Sequence, residues 1–134
     1  IVPHTLVWTG LRWHVRGWCE KNQDYRDFVL SRFRGEPEVL DASDHTGTSD
    51  DDWHTLVTIE IAPDPRLTAD QQAVVAHDYG MTKGKWQLSD RAKLLSYLLQ
   101  LLRLDPTQVM EDPRAQQIVI VNQGDVKAWL FPSG

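Results

Sequence analysis

Cysteine is nearly absent from this sequence, in which Cys19 stands alone among 134 residues. One thiol excludes an intramolecular disulfide and a multi-cysteine zinc site, and it favours a reducing compartment. The sequence also lacks an apolar run of about 18 residues and a charged start followed by an apolar stretch. We therefore predict no transmembrane helix and no signal peptide, and we expect a cytoplasmic protein.

Motifs of the common enzyme classes are missing as well. We find no G-x-S-x-G, no H-E-x-x-H, no phosphate loop G-x-x-x-x-G-K-S/T and no G-x-G-x-x-G. The best candidates for metal ligands are concentrated in one segment: Asp44, His45, Asp50, Asp51, Asp52 and His54. Because they have no fixed spacing, we interpret them as part of a solvated acidic segment. We predict no metal, no cofactor and no catalytic residue.

What is present is typical of a globular protein. Hydrophobic residues make up 41% of the chain and charged residues 25%, which is enough apolar material for a buried core. The length fits one compact domain or two small ones. The chain begins at Ile1 rather than Met, and we expect it to be a segment of a longer protein.

The first third of the chain is typical of a small β-barrel. Short strands at close spacing are predicted over residues 5–9, 12–18, 25–33 and 38–40. Alternation in the second of these would direct Trp13 and Val15 to one face and Arg12, His14 and Arg16 to the other. Residues 41–52 follow with five aspartates and no large apolar side chain. We predict a linker or exposed loop there, between domains over 1–50 and 53–134.

The second domain is predicted to alternate strands and helices. The expected elements are a strand over 53–63, a helix from Thr68 to Gly80, a strand over 85–89, a helix over 91–104, and a terminal hairpin of strands 118–121 and 126–131. In the first of these strands we expect Leu56, Thr58 and Glu60 on one face and Val57, Ile59 and Ile61 on the other. Thr68 and Gln71 have the spacing of a capping box, and Ser89 and Asp90 can cap the second helix. A sheet with helices on one face is an α/β sandwich, so the predicted class is α+β.

Positive charge is concentrated in one stretch of this acidic chain. Residues 12–34 hold six Lys or Arg residues against three acids, interleaved with Trp, His, Tyr and Phe, whereas the formal net charge is −5. Guanidinium groups make bidentate bonds to phosphate, and aromatic rings stack on bases. The stretch therefore favours a surface for nucleotides or oligonucleotides. A strand pair whose outward arginines are merely solvated is the alternative.

The same stretch resembles the WYL domain, the sensor module of many bacterial transcription regulators. The tripeptide W-Y-L aligns with residues 13–15. The later signature R-x-F-x-L-x-R-I aligns with Arg26, Phe28, Leu30, Arg32 and Phe33. The surrounding sequence is most similar to the BrxR and CapW repressor branch of the family. Residues 54–125, with the run D-Y-G-M, are similar to the extension that follows the WYL domain in that branch.

The resemblance implies both an architecture and a ligand site. It implies a small Sm/SH3-like barrel, a dimerising C-terminal α/β module, and an upstream winged helix-turn-helix that contacts DNA. It also implies a basic pocket for a nucleotide or nucleic-acid effector, lined by His14, Arg26, Phe28, Ser31 and Arg32. Arg16 joins this set through the alternation of its strand. His14 replaces the usual Tyr, which introduces a group that titrates near neutrality, and Val15 replaces the usual Leu.

We therefore expect the effector-sensing and dimerisation region of a bacterial transcriptional regulator. The regulator would be a noncatalytic repressor of a phage-defence operon, a homodimer without a membrane partner. Two alternatives stay open. The first is a pure assembly module, in which the arginines pair with acids of a partner subunit, and the second is a nuclease or another nucleic-acid enzyme.

Overall fold

A computed structural model describes residues 1–105 and 110–130. The chain divides into two compact units, Ile1–His54 and Thr55–Gly134. The first unit contains β1 (Val2–Trp8), β2 (Trp13–Cys19), β3 (Asp24–Val29), the three-ten turns Leu30–Arg32 and Gly47–Ser49, and α1 (Asp51–His54). The described part of the second contains β4 (Leu56–Pro63), α2 (Ala69–Asp78), β5 (Trp86–Arg91), a three-ten turn (Ala92–Leu94), α3 (Leu95–Leu101), β6 (Ile118–Ile120) and α4 (Gln123–Lys127).

The α+β class is confirmed, but the described residues form no closed barrel. The first unit has a three-stranded antiparallel sheet in the order β1-β2-β3. The strand predicted over 38–40 is wrong, because Val39 and Leu40 are 97% and 75% exposed and belong to no strand. The predicted strand over 25–33 stops at Val29, where the three-ten turn begins.

A β-bulge at His4 shapes the edge of the first sheet. The pairing of β1 with β2 shifts register between Pro3 and Thr5, so that His4 is an extra residue in its strand. Opposite the bulge the two backbones come close together. A Cβ atom on Gly17 would lie 2.5 Å from the Val2 carbonyl oxygen, so the strand needs glycine at that position.

The second unit packs helices against a sheet of order β5-β4-β6. The alternation predicted in β4 is confirmed, because Ile59 and Ile61 are buried while Leu56 and Thr58 are exposed. The buried hydrophobic cluster comprises Ile59, Ile61, Leu67, Val75, Leu95, Leu99, Leu104, Ile118, Ile120 and Val126. Burial of each such side chain contributes roughly 1.5–3 kcal/mol, so this cluster is the main source of stability in the unit.

The start and end of α2 agree with the sequence. The Thr68 hydroxyl oxygen accepts a hydrogen bond from the Gln71 amide at 3.2 Å, and the Gln71 side-chain oxygen accepts one from the Thr68 amide at 2.9 Å. Gly80 follows the helix with φ of +63°, a conformation that favours glycine. The predicted capping box and helix end are both confirmed.

Three other predicted elements differ. The strand predicted over 53–63 begins only at Leu56, because Trp53 and His54 belong to α1. The helix predicted over 91–104 is shorter, because Arg91 still pairs with Leu56 in the sheet and regular α-helix covers only Leu95–Leu101. Ser89 and Asp90 therefore lie in β5 rather than at a helix cap. The terminal hairpin is wrong within the described residues, since 123–127 form α4; residue 131 of its second strand lies outside them. None of the helices in the described ranges has the length and apolar character that crossing a membrane requires.

Candidate functional site

The pairing of β2 with its neighbours sorts the first sheet into two faces. We call the side of His14, Arg16 and Trp18 the His14 face, and the side of Val15, Gly17 and Cys19 the Val15 face, because side chains alternate along a strand. Cross-strand partners share a face. Asp27 and Val29 of β3 pair with Arg16 and His14, whereas Arg26 and Phe28 pair with Gly17 and Val15.

The predicted ligand-binding residues are divided between these faces. His14 and Arg16 lie on the His14 face, as the alternation predicted, whereas Arg26 and Phe28 lie on the Val15 face. Ser31 and Arg32 are carried by the exposed turn that follows β3. The charge of Arg32 contributes to the lowered pKa of His14, after burial and the charge of Arg12. The strand pairing separates Arg26 and Phe28 from His14 and Arg16.

His14 is a buried imidazole beside cationic side chains. It is 6% exposed, and its Nε2 accepts a hydrogen bond of 3.4 Å from Nε of Arg12. Burial lowers the pKa of His14, the charges of Arg12 and Arg32 lower it further, and Asp27 opposes them. The ring is therefore held in its neutral form near pH 7, with the exposed Arg12 guanidinium bonded to it. Arg12 was not among the predicted ligand-binding residues, although alternation placed it on this face.

Arg16 has a different environment, because a carboxylate of the same chain binds its guanidinium. Its side chain is 3% exposed; Nε donates to Oδ2 of Asp50 at 2.7 Å and Nη2 donates to Oδ1 at 2.9 Å. Nη1 lies 3.5 Å from a carboxylate oxygen of Asp27. Burial alone would lower the pKa of Arg16, but the bond to Asp50 and the charges of Asp27 and Asp50 outweigh it and raise the pKa. Arg16 is thus a buried, neutralised cation.

Asp50 is correspondingly held as a carboxylate. Burial raises the pKa of Asp50, but hydrogen bonds from Arg16 and His4 reverse the effect, and its net pKa is lowered. His4 Nε2 lies 2.9 Å from Oδ2 of Asp50, and the other ring nitrogen lies 2.7 Å from the Thr5 hydroxyl. Asp50 is 1% exposed, so its interpretation as part of a solvated acidic segment is wrong.

Residues 45–54, which we call the strap and which include Asp50, pack on the His14 face. The ring of His45 stacks on Trp18 with centroids 3.8 Å apart and planes 2° apart. The Tyr25 hydroxyl donates to the Thr46 carbonyl at 2.7 Å. Side chains of β2 and β3 therefore hold the first residues of the strap, where the sequence predicted a linker.

The end of the strap packs on His4. The ring of His4 makes an edge contact with Trp53 at 5.7 Å between centroids, and Trp53 is 6% exposed. His54 Nε2 hydrogen-bonds the Gly47 carbonyl at 2.8 Å, which closes the strap on itself. A Cβ on Gly47 would lie 3.2 Å from Nδ1 of His4, so the backbone of the strap lies close to that ring.

Three of the six residues considered as metal ligands have other partners. His45 stacks on Trp18, Asp50 pairs with Arg16, and His54 bonds within the strap. Across residues 1–105 and 110–130, no three His, Cys, Asp or Glu side chains are grouped so that they could hold a metal ion. The exposed guanidinium of Arg12, bonded to the buried imidazole of His14, is the kind of group that pairs with anions.

Each of the two units contains a match to a known protein family. Residues 56–126 match the family described as BrxR transcriptional regulator, C-terminal dimerization domain, and residues 1–36 match the WYL domain. The chain is 38% identical over 128 residues to the DNA-binding transcriptional repressor CapW of Stenotrophomonas maltophilia, covering 96% of this chain and 43% of that protein. It is 36% identical over 130 residues to CapW of Escherichia coli, covering 97% and 43%. The Pseudomonas aeruginosa repressor of the same name is 35% identical over 127 residues, covering 93% and 42%. The chain thus spans less than half the length of these relatives.

Proposed function

We propose, from the premise that the chain belongs to the BrxR family of transcriptional regulators, that it is the effector-sensing and dimerisation region of a bacterial repressor. The match of residues 56–126 to a dimerization domain supports a homodimer formed through the second unit. Relatives named as DNA-binding repressors support a DNA-binding segment outside this chain, which we take to be a winged helix-turn-helix. The regulator would act without catalysis in the cytoplasm, and we propose a phage-defence operon as its target.

The proposed effector is a nucleotide or oligonucleotide bound on the His14 face. The observation that carries the proposal is that the exposed guanidinium of Arg12 bonds to the buried imidazole of His14, whose pKa the charge of Arg32 also lowers. Guanidinium groups suit phosphate, because they offer paired donors in a planar fork. Ser31 offers a hydroxyl on the same turn as Arg32. The pocket therefore comprises Arg12, His14, Ser31 and Arg32.

The other predicted residues have separate roles in this proposal. Arg16 is occupied by Asp50, and Arg26 and Phe28 lie on the Val15 face. One small ligand on the His14 face does not reach the Val15 face, so we leave Arg26 and Phe28 outside the pocket. An effector regulates DNA binding only if it has different affinities for the two states of the repressor.

Arg26 provides a matched control for the test. Fluorescence anisotropy of a labelled oligothymidylate would be measured with the 134-residue chain and with its Arg12→Ala, Arg32→Ala and Arg26→Ala variants. A hydrogen bond to a charged group contributes about 1.5–3 kcal/mol, so Arg32→Ala and Arg12→Ala should each weaken binding by about tenfold or more. Arg26→Ala removes the same charge from the other face and should change affinity little. Binding should also weaken as salt rises. Equal affinities in all four proteins would contradict the proposal.

A pure assembly module is the second candidate function. The match to a dimerization domain favours it, because that match needs no small ligand. Light scattering of the Arg12→Ala/Arg32→Ala double variant distinguishes the two candidates. An intact dimer that has lost oligonucleotide binding supports the effector site. If the wild type binds no oligonucleotide and the double variant loses the dimer, the assembly module is supported.

A further inference from the structure

We propose that the strap, residues 45–54, is an internal competitor of the effector, in which Asp50 occupies the Arg16 guanidinium that an oligonucleotide phosphate takes on binding. This inference rests on the proposed function and adds a regulatory element to the same face. The strap is part of the chain itself, so its displacement links ligand binding to a conformational change.

The geometry of Asp50 is that of a bound anion. Its two oxygens accept from two nitrogens of one guanidinium, at 2.7 and 2.9 Å, which is the bidentate geometry that a phosphate also adopts. The carboxylate reaches Arg16 from 34 positions further along the chain. The strap therefore supplies an anion to a basic strand much as a ligand would.

The position of Arg16 relates this site to the proposed pocket. Arg16 and His14 point to the same side of β2, two residues apart, which is about 6.6 Å at ~3.3 Å per residue. An extended ligand with more than one phosphate can therefore bind Arg12 and Arg32 and reach Arg16 as well. To form the same two bonds with Nε and Nη2 it must displace Asp50, which occupies both donors.

The strap is joined directly to the second unit along the chain. The strap ends at His54, and the dimerising unit begins at the next residue, Thr55. Loss of the Asp50 ion pair would leave the strap held by the contacts of His45 and Trp53 and by the Tyr25 bond to Thr46. The segment that precedes the second unit would then be held less firmly in the ligand-bound protein.

The test compares two aspartates of the same region. Asp50→Asn removes the charge and turns an amide NH2 toward one guanidinium nitrogen, so at least one hydrogen bond is lost. Asp44→Asn makes the same change in net charge at an exposed position just before the strap. We expect Asp50→Asn to bind labelled oligothymidylate at least about fivefold more tightly than Asp44→Asn, the lower end of usual coupling between sites. In the wild type, amides of residues 45–54 should exchange hydrogen faster when oligothymidylate is saturating.

A milder variant keeps the test decisive if Asp50→Asn unfolds the first unit. Tyr25→Phe removes only the hydroxyl that holds Thr46, and it should raise affinity in the same direction by a smaller factor. Equal affinities of Asp50→Asn and Asp44→Asn, or of Tyr25→Phe and wild type if Asp50→Asn is unfolded, would overturn the competitor role. So would unchanged or slower exchange in the strap on binding.

Failure of this inference is distinguishable from failure of the proposed function. If Arg32→Ala weakens binding but Asp50→Asn behaves as Asp44→Asn does, only the competitor role is lost. If Arg32→Ala binds as wild type does, the effector site itself is wrong. If Asp50→Asn binds oligothymidylate and the wild type does not, the strap is supported as a competitor. If none of the proteins binds it, both the competitor role and the effector site are wrong.

Discussion

Replacement of Asp50 by alanine should cost the first unit much of its stability. The substitution leaves the guanidinium of Arg16, 3% exposed, with Asp27, 3.5 Å away, and the charge of Asp52 as its negative neighbours. Removal of one partner from a buried ion pair typically costs about 3–5 kcal/mol, because the other charge stays buried without compensation. Since Asp27 still offsets part of that charge, we expect a loss near the lower end, about 3 kcal/mol.

Urea denaturation, with hydrogen exchange of residues 1–54 to assign the transition to the first unit, would measure this loss. Asp44→Ala is the matched control, because it removes an exposed aspartate from the same region and should change the free energy of unfolding by about 0.5 kcal/mol or less. The double variant Arg16→Met/Asp50→Leu replaces both charges by apolar side chains and should recover most of the loss. A cost below about 1 kcal/mol for Asp50→Ala, the range of exposed ion pairs, would refute the reasoning.

The pH dependence of the same pair has a defined sign. The pKa of Asp50 is lowered in the folded protein from its ordinary value of 3.8. The stability that this carboxylate contributes is therefore fully present above pH 3.8 and is lost as pH falls through the lower folded value. Asp50→Ala should unfold with a shallower dependence on pH in that acidic range than wild type does. An identical dependence would contradict the account.

Three further substitutions test other parts of the structure. His14 has a folded pKa below its ordinary 6.5, so stability should decline as pH falls from 6.5 through the folded value, and His14→Gln should remove that decline in urea titrations. Gly17→Ala forces a Cβ to 2.5 Å from the β1 backbone and should cost about 1–3 kcal/mol, whereas Gly124→Ala, with nothing within 4 Å, should cost nothing in the same assay. The Asn122 side chain accepts a hydrogen bond from the Glu60 amide at 2.9 Å and donates one to the Thr58 carbonyl at 2.7 Å. Asn122→Ala should therefore lower the free energy of unfolding by about 1–3 kcal/mol in thermal denaturation, whereas Gln123→Ala should be nearly neutral.

Local signals in the sequence were sufficient for several features of the fold. The capping box of Thr68 and Gln71 depends on residues three apart, and the alternation of β4 depends on one buried face. Alternation along β2 likewise placed His14 and Arg16 on one side of that strand. Each of these features is decided within a single element, which is why the sequence alone predicts it.

Features decided by partners distant in sequence were not predicted. The face that Arg26 occupies depends on its pairing with Gly17, and a resemblance in motif does not specify that register. The bond between Arg16 and Asp50 spans 34 positions and joins a strand to a segment rich in aspartate. Composition correctly described that segment as acidic but did not show that one of its carboxylates is buried.

The spacing of apolar residues at the end of the second unit fits both a strand and a helix. Residues 126–131 have apolar side chains that fit a strand, and the preceding N-Q-G-D resembles a turn. In the structure Asn122 bonds to the backbone of β4, and Val126, Trp129 and Leu130 contribute apolar side chains at helical spacing. Short apolar runs fit both periods, so tertiary contacts decided the element.

The protonation of the His14 ring tests most directly whether anions bind at this face. Nuclear magnetic resonance titration of the ring nitrogens would give the pKa of His14 in the free chain and with saturating oligothymidylate. The account predicts a value below 6.5 in the free protein, because of burial and the neighbouring guanidinium groups, and a higher value once a phosphate lies beside them. The same His14 pKa in the free and the saturated protein would contradict an effector site on this face.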